Sequence, residues 1–225
     1  MKFILLTRFL FFSALILLIS NAAPAQTRVD IDIQIWPKGV VTLTSGKVLE
    51  GVVTYYRSKD VITISQPDNT LSSLSPVNVV QFEVSNGHSD RRHLFRTIYW
   101  DKGEEYTDFK IPIFFEQILD GNTTLLMRES YHKRIIDPYL AEKMDNRTTD
   151  PMGYPIQGIY YDQIKPQFYV MNGDGEVKGI HHMRKDFLNF CGKKATEIKS
   201  FVRKQKLNFE QPSDFIAIVN YYNTL

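Results

Sequence analysis

Between residues 29 and 84 the chain is a series of short β-rich runs separated by turns, and this rhythm limits the fold more than any other feature. It opens with VDIDIQI at 29–35, where apolar and polar residues alternate as in a half-buried strand. Turn residues such as Ser45-Gly46 then separate further runs rich in Val, Ile and Leu. Short strands at this spacing are typical of a small barrel or sandwich. We therefore predict a small β-barrel-like module over residues 26–85.

A second β-rich region follows. The polar, turn-rich stretch at 85–93 indicates a module boundary or a long loop, after which aromatic β-type segments resume over residues 94–180. Within that region, residues 137–157 carry three prolines and many polar side chains, and predict a long connection. A connection of this length is often functional or disordered, and the sequence leaves both alternatives open.

The last part of the chain, residues 181–225, changes its hydrophobic period towards the 3.6 residues of a helix. Met183, Phe187 and Phe190 fall on one helical face, and Pro212-Ser213 is a typical helix start. We predict about three short helices in this tail. The fold class is therefore α+β, mainly antiparallel β in the N-terminal and middle parts with the helices at the C-terminus.

The N-terminus has the layout of a secretory signal peptide: two basic residues, an uncharged apolar core at Phe9–Ile19, and Ala23-Pro24-Ala25 before Gln26. The alternative is a membrane anchor, but the core of about 11 residues is well short of the ~20 that span a bilayer. We predict that residues 1–25 are removed and that the protein is exported, to the periplasm or to the extracellular side or outer envelope. After cleavage no transmembrane segment is predicted.

Charge and cysteine content describe the mature chain further, and the cysteine content excludes one class of fold. Cleavage removes two basic residues and no acidic one, which leaves 25 of each sign and a formally neutral chain. The single cysteine, Cys191, rules out a disulfide-stapled scaffold. It lies in FLNFCGKK among apolar residues, and this setting favours a buried structural thiol over a reactive one.

The stretch FYVMNGDGEVKGI at 168–180 allows two interpretations, a calcium loop or a hairpin turn. An EF-hand alignment with Gly175 at the sixth position places Val170 at the first and His181 at the twelfth, and neither supplies the required carboxylate. Asn-Gly-Asp-Gly between two β-rich runs is instead typical of a tight hairpin turn. We therefore predict a hairpin at 168–180 and no calcium site.

No pattern for catalysis, metal or cofactor binding is present. His181-His182 are adjacent and point in different directions, so they make a poor chelate. The sequence has no H-E-x-x-H, no G-x-S-x-G and no phosphate-binding glycine loop. We predict no catalytic residue, no metal and no cofactor, which favours a non-enzymatic protein and leaves an enzyme with scattered site residues as an open alternative.

Basic residues cluster in the tail. Residues 181–210 contain eight Lys and Arg residues but only three acidic residues. Export argues against nucleic acid as the partner, whereas an anionic envelope surface or an acidic envelope protein fits the charge. The alternative is a solvated helix face whose lysine stems cover apolar surface. The candidate binding residues are Lys193, Lys194, Lys199, Arg203, Lys204 and Lys206.

Three segments carry a resemblance to a known group: GVVTLTSGKVLEGVV at 39–53, FFEQILDGNTTLLMRE at 114–129, and the lysine-rich stretch at 193–225 with Tyr222-Asn223 near its end. With its signal peptide, the chain resembles uncharacterised exported envelope proteins of Bacteroidota that combine a small β module with a lysine-rich helical tail. The resemblance implies a periplasmic or outer-envelope location. It brings no catalytic residues with it.

These observations favour an exported, non-enzymatic α+β protein that binds another cell-envelope component through the basic helices and the 137–157 loop. One alternative is a hydrolase acting on glycans or envelope polymers, which would need a deep pocket with two carboxylates or a histidine beside an acid. Another is a small-ligand binder, which would need an aromatic-lined cavity in the β module. Oligomeric state has no signature in the sequence.

Overall fold

A computed structural model gives the structure of residues 32–87, 91–104, 109–136 and 159–225. The predicted signal peptide at 1–25 and the predicted loop at 137–157 lie outside the described residues. Among the described residues, no helix combines the length and apolar character needed to cross a membrane.

Within the described residues, ten strands form a single sheet in which every pair of neighbours is antiparallel. The strands are β1 (Ile33–Leu43), β2 (Val48–Tyr56), β3 (Val61–Ser65), β4 (Leu71–Leu74), β5 (Val79–Ser85), β6 (Arg92–Trp100), β7 (Ile111–Leu119), β8 (Thr124–Ile136), β9 (Ile159–Met171) and β10 (Val177–Ile180). Three helices follow, α1 (Met183–Cys191), α2 (Ala195–Gln205) and α3 (Pro212–Tyr222). The predicted class, mainly antiparallel α+β with C-terminal helices, is confirmed.

The order of strands in the sheet is β10-β9-β8-β7-β6-β5-β1-β2-β3-β4. The chain runs through β1–β4 as a meander, returns through a short 3₁₀ turn at Pro76–Asn78, and pairs β5 with the free side of β1. All later strands add to β5 one after another. Among the described residues β4 pairs with β3 and with no other strand, so the sheet is open, and the small β-barrel-like module predicted over residues 26–85 is part of a sheet that does not close into a barrel.

The sheet nevertheless curls strongly at its β4 end. Tyr55 on β2 and Phe114 on β7 are four strand positions apart, yet their ring centroids lie 6.1 Å from each other. Between them Phe82 and Phe95 stack with centroids 4.6 Å apart. These rings join one buried cluster with Trp36, and this cluster fills the concave side of the curl. A twisted sheet of many strands coils in this way to bury one face.

The β7–β10 end of the sheet is covered on both faces. Leu125 packs beneath the helices, whereas its neighbour Leu126 packs on the opposite face with Phe115 and Tyr169. Successive residues of a strand point to opposite faces, so double coverage requires consecutive apolar residues. The runs IFF in β7 and FYV in β9 meet this requirement.

The helices form one layer on this part of the sheet. Helix α1 leads directly through a 3₁₀ turn at Gly192–Lys194 into α2. Phe187 of α1, Ile198 of α2 and Phe215 of α3 are all fully buried in the cluster beneath them. The 3.6-residue pattern of the tail thus buries one stripe of each helix and leaves the polar stripe in solvent.

The segment 168–180 forms an antiparallel hairpin of β9 and β10, with Met171 opposite Val177. Asn172 holds the turn together, since its Oδ1 accepts hydrogen bonds from the backbone N–H groups of Asp174 (3.1 Å) and Glu176 (2.9 Å). Gly175 adopts φ +79°, a conformation that favours glycine. Asn172 Oδ1, which an EF-hand alignment would place among the calcium ligands, is therefore engaged by backbone N–H groups of its own turn.

Candidate functional site

The six candidate basic residues all lie on the continuous helical segment formed by α1, the 3₁₀ turn and α2. Five of them are exposed, and we call the whole set the basic surface: Lys193, Lys194, Lys199, Arg203, Lys204 and Lys206. Lys194 differs from the others, because it is half-buried and its Nζ lies 5.1 Å from the centroid of the Tyr222 ring. Lys206 ends α2 in the left-handed conformation, with φ 56°.

The positive charge of the basic surface is largely uncompensated. Within the described residues none of its six members forms a salt bridge. The carboxylate of Asp186 is already used, since it accepts hydrogen bonds from the backbone N–H groups of His181 (2.9 Å) and His182 (2.7 Å). These bonds, with that of His182 the strongest, lower the pKa of Asp186. The remaining acid on the helical segment is Glu197.

A pair of aromatic rings borders the basic surface. Phe201 of α2 and Tyr221 of α3 stack with centroids 3.9 Å apart and planes 9° from parallel. Both rings are half-buried, and with Lys204 they line an open groove between the two helices. Aromatic side chains are enriched at protein–protein interfaces, whereas lysine is depleted there, so the ring pair is the part of this groove that resembles such an interface.

The helical layer is fixed to the sheet at its C-terminal end. The side-chain amide of Asn223 donates to the backbone oxygen of Thr123 (2.8 Å) and accepts from its backbone nitrogen (2.9 Å). A Cβ on Gly121 would lie only 2.6 Å from Asn223 Nδ2, so the β7–β8 turn must approach this side chain closely. The tethered layer gives the basic surface a defined position on the sheet.

A second feature is a cleft of about 130 Å³ on the concave side of the curled sheet. Five strands or their ends contribute to its wall. Its lining contains four aromatic residues, Trp36, Tyr55, Phe95 and Phe114, together with Met127 and the polar residues Gln34, Arg91, His93, Glu116, Arg128 and Glu129. Sequence reasoning did not find this cleft.

Three oppositely charged or polar pairs lie in or beside the cleft. His93 Nδ1 is 2.6 Å from Glu116 Oε1. The guanidinium of Arg57, which is 8% exposed, contacts Glu129 at 2.7 Å and also donates to the side-chain oxygen of Gln34. The third pair is Arg128 with Asp60, at 3.4 Å. Pairing of this kind is what allows charged groups to remain in a mostly buried region.

Asp60 connects the curl to the middle of the sheet. It follows β2 with φ 50° and accepts hydrogen bonds from the Tyr55 hydroxyl (2.7 Å) and the Phe114 backbone N–H (3.1 Å). Burial raises the pKa of Asp60, and the Arg128 guanidinium offsets part of this rise. Burial, with the charge of Asp60, also raises the pKa of the Tyr55 hydroxyl, which therefore remains a donor.

Cys191, His181 and His182 are the other residues that the sequence analysis weighed for catalysis or metal binding. Cys191 is 4% exposed in the cluster beneath the helices, and burial raises its pKa to about 12. His181 and His182 are exposed, and His181 Nδ1 lies 3.0 Å from Gln167 Nε2. In the part of the chain that the structure describes, no three His, Cys, Asp or Glu side chains converge as metal ligands.

In comparisons with known proteins, no family model, curated protein or solved structure matches the chain. The interpretation of the site therefore depends on its own residues.

The cleft has a signal in the sequence that can be recognised afterwards. On three strands a buried aromatic residue lies two positions from a polar one: Gln34 and Trp36, His93 and Phe95, and Phe114 and Glu116. Residues two apart on a strand share a face, so each such pair brings a polar group to an aromatic wall. The sequence does not show that these strands lie side by side around one cavity, because that depends on the curl of the sheet.

Proposed function

We propose that this protein is a non-enzymatic binding protein of the cell envelope, which acts after export and contacts an anionic component through the basic surface. The observation that carries the proposal is the set of six cationic side chains on one helical segment, without a salt bridge among the described residues. Uncompensated charge on an ordered surface attracts a partner of opposite sign.

Export to the periplasm or the outer envelope is the part of the proposal that rests on the sequence. It is supported by the order of basic, apolar and small residues in 1–25, and by the resemblance to exported proteins of Bacteroidota. Mass spectrometry of the protein from a periplasmic fraction tests it, with a new N-terminus at Gln26 as the expected result. A full-length chain that remains in the cytoplasm contradicts it.

The binding step is tested by reversing the charge of the surface. Substitution of Lys193, Lys199, Arg203 and Lys204 by Glu should abolish co-sedimentation with vesicles that contain phosphatidylglycerol. The mature wild type should bind these vesicles, release them at about 0.5 M salt, where the Debye length is only a few Å, and leave neutral phosphatidylcholine vesicles unbound.

The matched control has the same change of net charge at four exposed lysines elsewhere, with Lys38, Lys47, Lys110 and Lys165 replaced by Glu. This control should lose much less binding than the variant of the basic surface. Equal loss of binding in the two variants would mean that the net charge of the protein, and not the basic surface, causes vesicle binding. Unchanged binding of the first variant would exclude the basic surface as the contact.

A further inference from the structure

Strand β10 is one edge of the sheet, and part of its backbone faces outward. The backbone N–H of Asn172 donates to the Glu176 oxygen (3.1 Å), and in an antiparallel pair the bonded residues alternate along the strand. Lys178 therefore bonds to β9, whereas the N–H and C=O groups of Val177 and Gly179 point away from it. These outward groups have no hydrogen-bond partner among the described residues. An edge of this kind is a template for pairing with another chain.

The free part of the edge is short and has a defined end on each side. The next outward N–H, that of His181, already donates to Asp186 Oδ2 (2.9 Å). On the other side the edge ends at the hairpin turn that Asn172 closes. Gly179 is partly exposed, and its exposed atoms belong to the backbone because it has no side chain. The edge is thus open to the main chain of a few residues.

The edge lines an open groove of about 1140 Å³. Ile180 packs in the cluster beneath the helices, and Val177 packs in the cluster on the opposite face of the sheet, which Trp100 also contacts. Helix α1 therefore borders the groove on one face, and the connection between β6 and β7, which begins after Trp100, borders it on the other. Pockets for small molecules measure ~300–1,000 Å³, so this groove has room for several residues of a peptide.

The charge of the groove favours a basic occupant. Glu176 and Lys178 lie in its lining and compensate each other at 3.5 Å. A second copy of this chain would bring an acidic groove against an acidic groove, and like charges across an interface repel. The remaining charges of the lining are three carboxylates and one ammonium group, on Asp101, Glu104, Asp186 and Lys110.

We propose that β10 binds an extended peptide segment, which adds to the sheet as a further strand and directs basic side chains towards the β6–β7 connection. Successive residues of the added strand face α1 and the β6–β7 connection in turn. Every second residue is basic, near Asp101 and Glu104, and the residues between are apolar and lie against the half-buried ring of Phe190. Main-chain hydrogen bonds supply affinity and the alternation supplies specificity. This site shares no residue with the basic surface.

Titration of the isotope-labelled mature protein with synthetic peptides, followed by NMR, tests the proposal. The probe is a capped Lys-Leu-Lys-Leu-Lys peptide, and the control is the same peptide with Glu in place of Lys. The probe should bind and shift the amide signals of Val177 and Gly179, and the Glu peptide should bind about tenfold or more weakly. Absence of binding by the probe, equal binding of the two peptides, or shifts confined to other parts of the chain overturns the proposal.

Peptides methylated at their backbone nitrogens test the main-chain pairing itself. Successive N–H groups of a strand point to opposite edges, so either the Lys or the Leu N–H groups of the probe face β10, and not both. One probe is methylated at its Lys nitrogens and another at its Leu nitrogens. One of the two should bind about tenfold or more weakly than the parent peptide, and the other should retain most of its affinity. Equal affinities of the two methylated peptides would overturn strand addition.

The protein offers a matched pair of variants, because β4 is the other edge of the sheet. The Gln66 N–H donates to the Thr70 oxygen (3.0 Å), so the alternation from that pair leaves the N–H of Ser73 facing outward. Proline is tolerated in an edge strand where the N–H faces solvent. Gly179→Pro should weaken binding of the Lys peptide about tenfold or more, and Ser73→Pro should leave it unchanged. Equal affinity of Gly179→Pro and the wild type would exclude the β10 edge.

Sedimentation equilibrium distinguishes a peptide from a second copy as the occupant. The mature protein should be a monomer with a free β10 edge at the concentrations of the titration. A dimer that Gly179→Pro dissociates would assign the edge to a second copy and overturn the proposal. The methylated peptides are tested on the wild-type chain, so their outcome decides the matter even if Gly179→Pro does not fold.

Discussion

At the scale of single residues, Asp60 combines an unusual backbone conformation with two hydrogen bonds and an ion pair. Its backbone has a positive φ, and its carboxylate accepts from the Tyr55 hydroxyl and the Phe114 N–H while it pairs with Arg128. Asp and Asn are the non-glycine residues that tolerate this backbone conformation best. One side chain thus joins a turn of the curl to β7 and β8.

Replacement of Asp60 by Ala should lower the free energy of unfolding by about 2 kcal/mol or more, because buried donors lose their acceptor. Asp60→Asn keeps an acceptor oxygen and the backbone preference, and should cost less. Burial raises the folded-state pKa of Asp60 above its ordinary value, so the folded state holds this proton more tightly. Its contribution to stability is therefore full below the unfolded-state pKa and is lost as the pH rises through the folded one.

Urea unfolding between about pH 3 and pH 7 measures this effect as the difference in stability between the wild type and Asp60→Asn. The difference, wild type minus variant, should fall as the pH rises. A difference that grows with pH would mean that Arg128 outweighs burial and that the folded carboxyl has a lowered pKa.

Cys191 should be unreactive in the folded protein. Its pKa of about 12, raised by burial from 9.0, reduces the thiolate fraction near neutral pH by roughly three powers of ten. Labelling with a thiol-specific disulfide reagent at mildly alkaline pH should be about 1000-fold slower than in urea-unfolded protein. Comparable rates in the two states would contradict the buried position.

At the scale of elements, the contact between α3 and the β7–β8 turn depends on one amide. Asn223→Ala removes both hydrogen bonds to the backbone of Thr123 and should reduce the free energy of unfolding by about 1–3 kcal/mol. Asn220→Ala, at an exposed position of the same helix, should change it by less than about 0.5 kcal/mol. Urea unfolding of the two variants gives the comparison, and equal effects would reject the role of Asn223.

The same contact predicts a coupling with Gly121. Its added Cβ would lie 2.9 Å from Asn223 Cγ, so Gly121→Ala must displace that side chain and break its hydrogen bonds. In the Asn223→Ala background this conflict is gone. The double variant should therefore be more stable than the sum of the single effects by about 1 kcal/mol, and additive effects would contradict the close approach.

The close approach of the β3 backbone requires glycine at Gly51 on β2. A Cβ there would lie 2.8 Å from the backbone carbonyl carbon of Ser65, on the neighbouring strand, and backbone cannot move aside as a side chain can. Gly51→Ala should lower the free energy of unfolding by about 3 kcal/mol or more. Gly173→Ala, in the open hairpin turn with no atom near its Cβ, is the control and should cost less than about 0.5 kcal/mol.

Most strands and all three helices were predictable from the sequence, because their patterns depend on residues that are close together in the chain. Period-two runs predicted the strands, and apolar residues at helical spacing predicted the three helices, because both patterns depend on neighbours within one turn or one strand. The exposure of residues such as Arg203 follows from the same geometry. The cleft was not predictable, because Trp36 and His93 are brought together by the pairing of β5 with β1 and by the curl of the sheet.

At the scale of the whole molecule, one sheet connects the parts that the sequence suggested as separate modules. Strand β6 pairs with β5 from Arg96 opposite Gln81 to Arg92 opposite Ser85, directly across the polar stretch at 85–93. On β7, Phe114 belongs to the cluster inside the curl and Phe115 to the cluster beside it. The clusters therefore share strands and depend on each other.

This sharing predicts a single unfolding transition. Trp36 lies in the aromatic cluster inside the curl, and Trp100 packs against the cluster that contains Phe115, Leu126 and Tyr169. The variants Trp100→Phe and Trp36→Phe therefore report on the two regions separately. For each variant, the urea midpoint measured by tryptophan fluorescence should equal the urea midpoint measured by circular dichroism. Fluorescence and circular dichroism transitions that separate would instead indicate two independent modules.

The strand order also sets the sequence of events when the chain folds. Every neighbouring pair in the sheet joins consecutive strands except β1 and β5. Two pairings close long loops: β8 with β9, whose nearest partners are Ile136 and Ile159, and β1 with β5, whose nearest partners are Leu43 and Val79. The β1–β5 pairing closes the longer loop and is the one on which the curl depends, so we expect it to be the slower of the two. We expect the transition state to form around Val41 and Phe82, which pair there, with the outer hairpin of β9 and β10 completed afterwards.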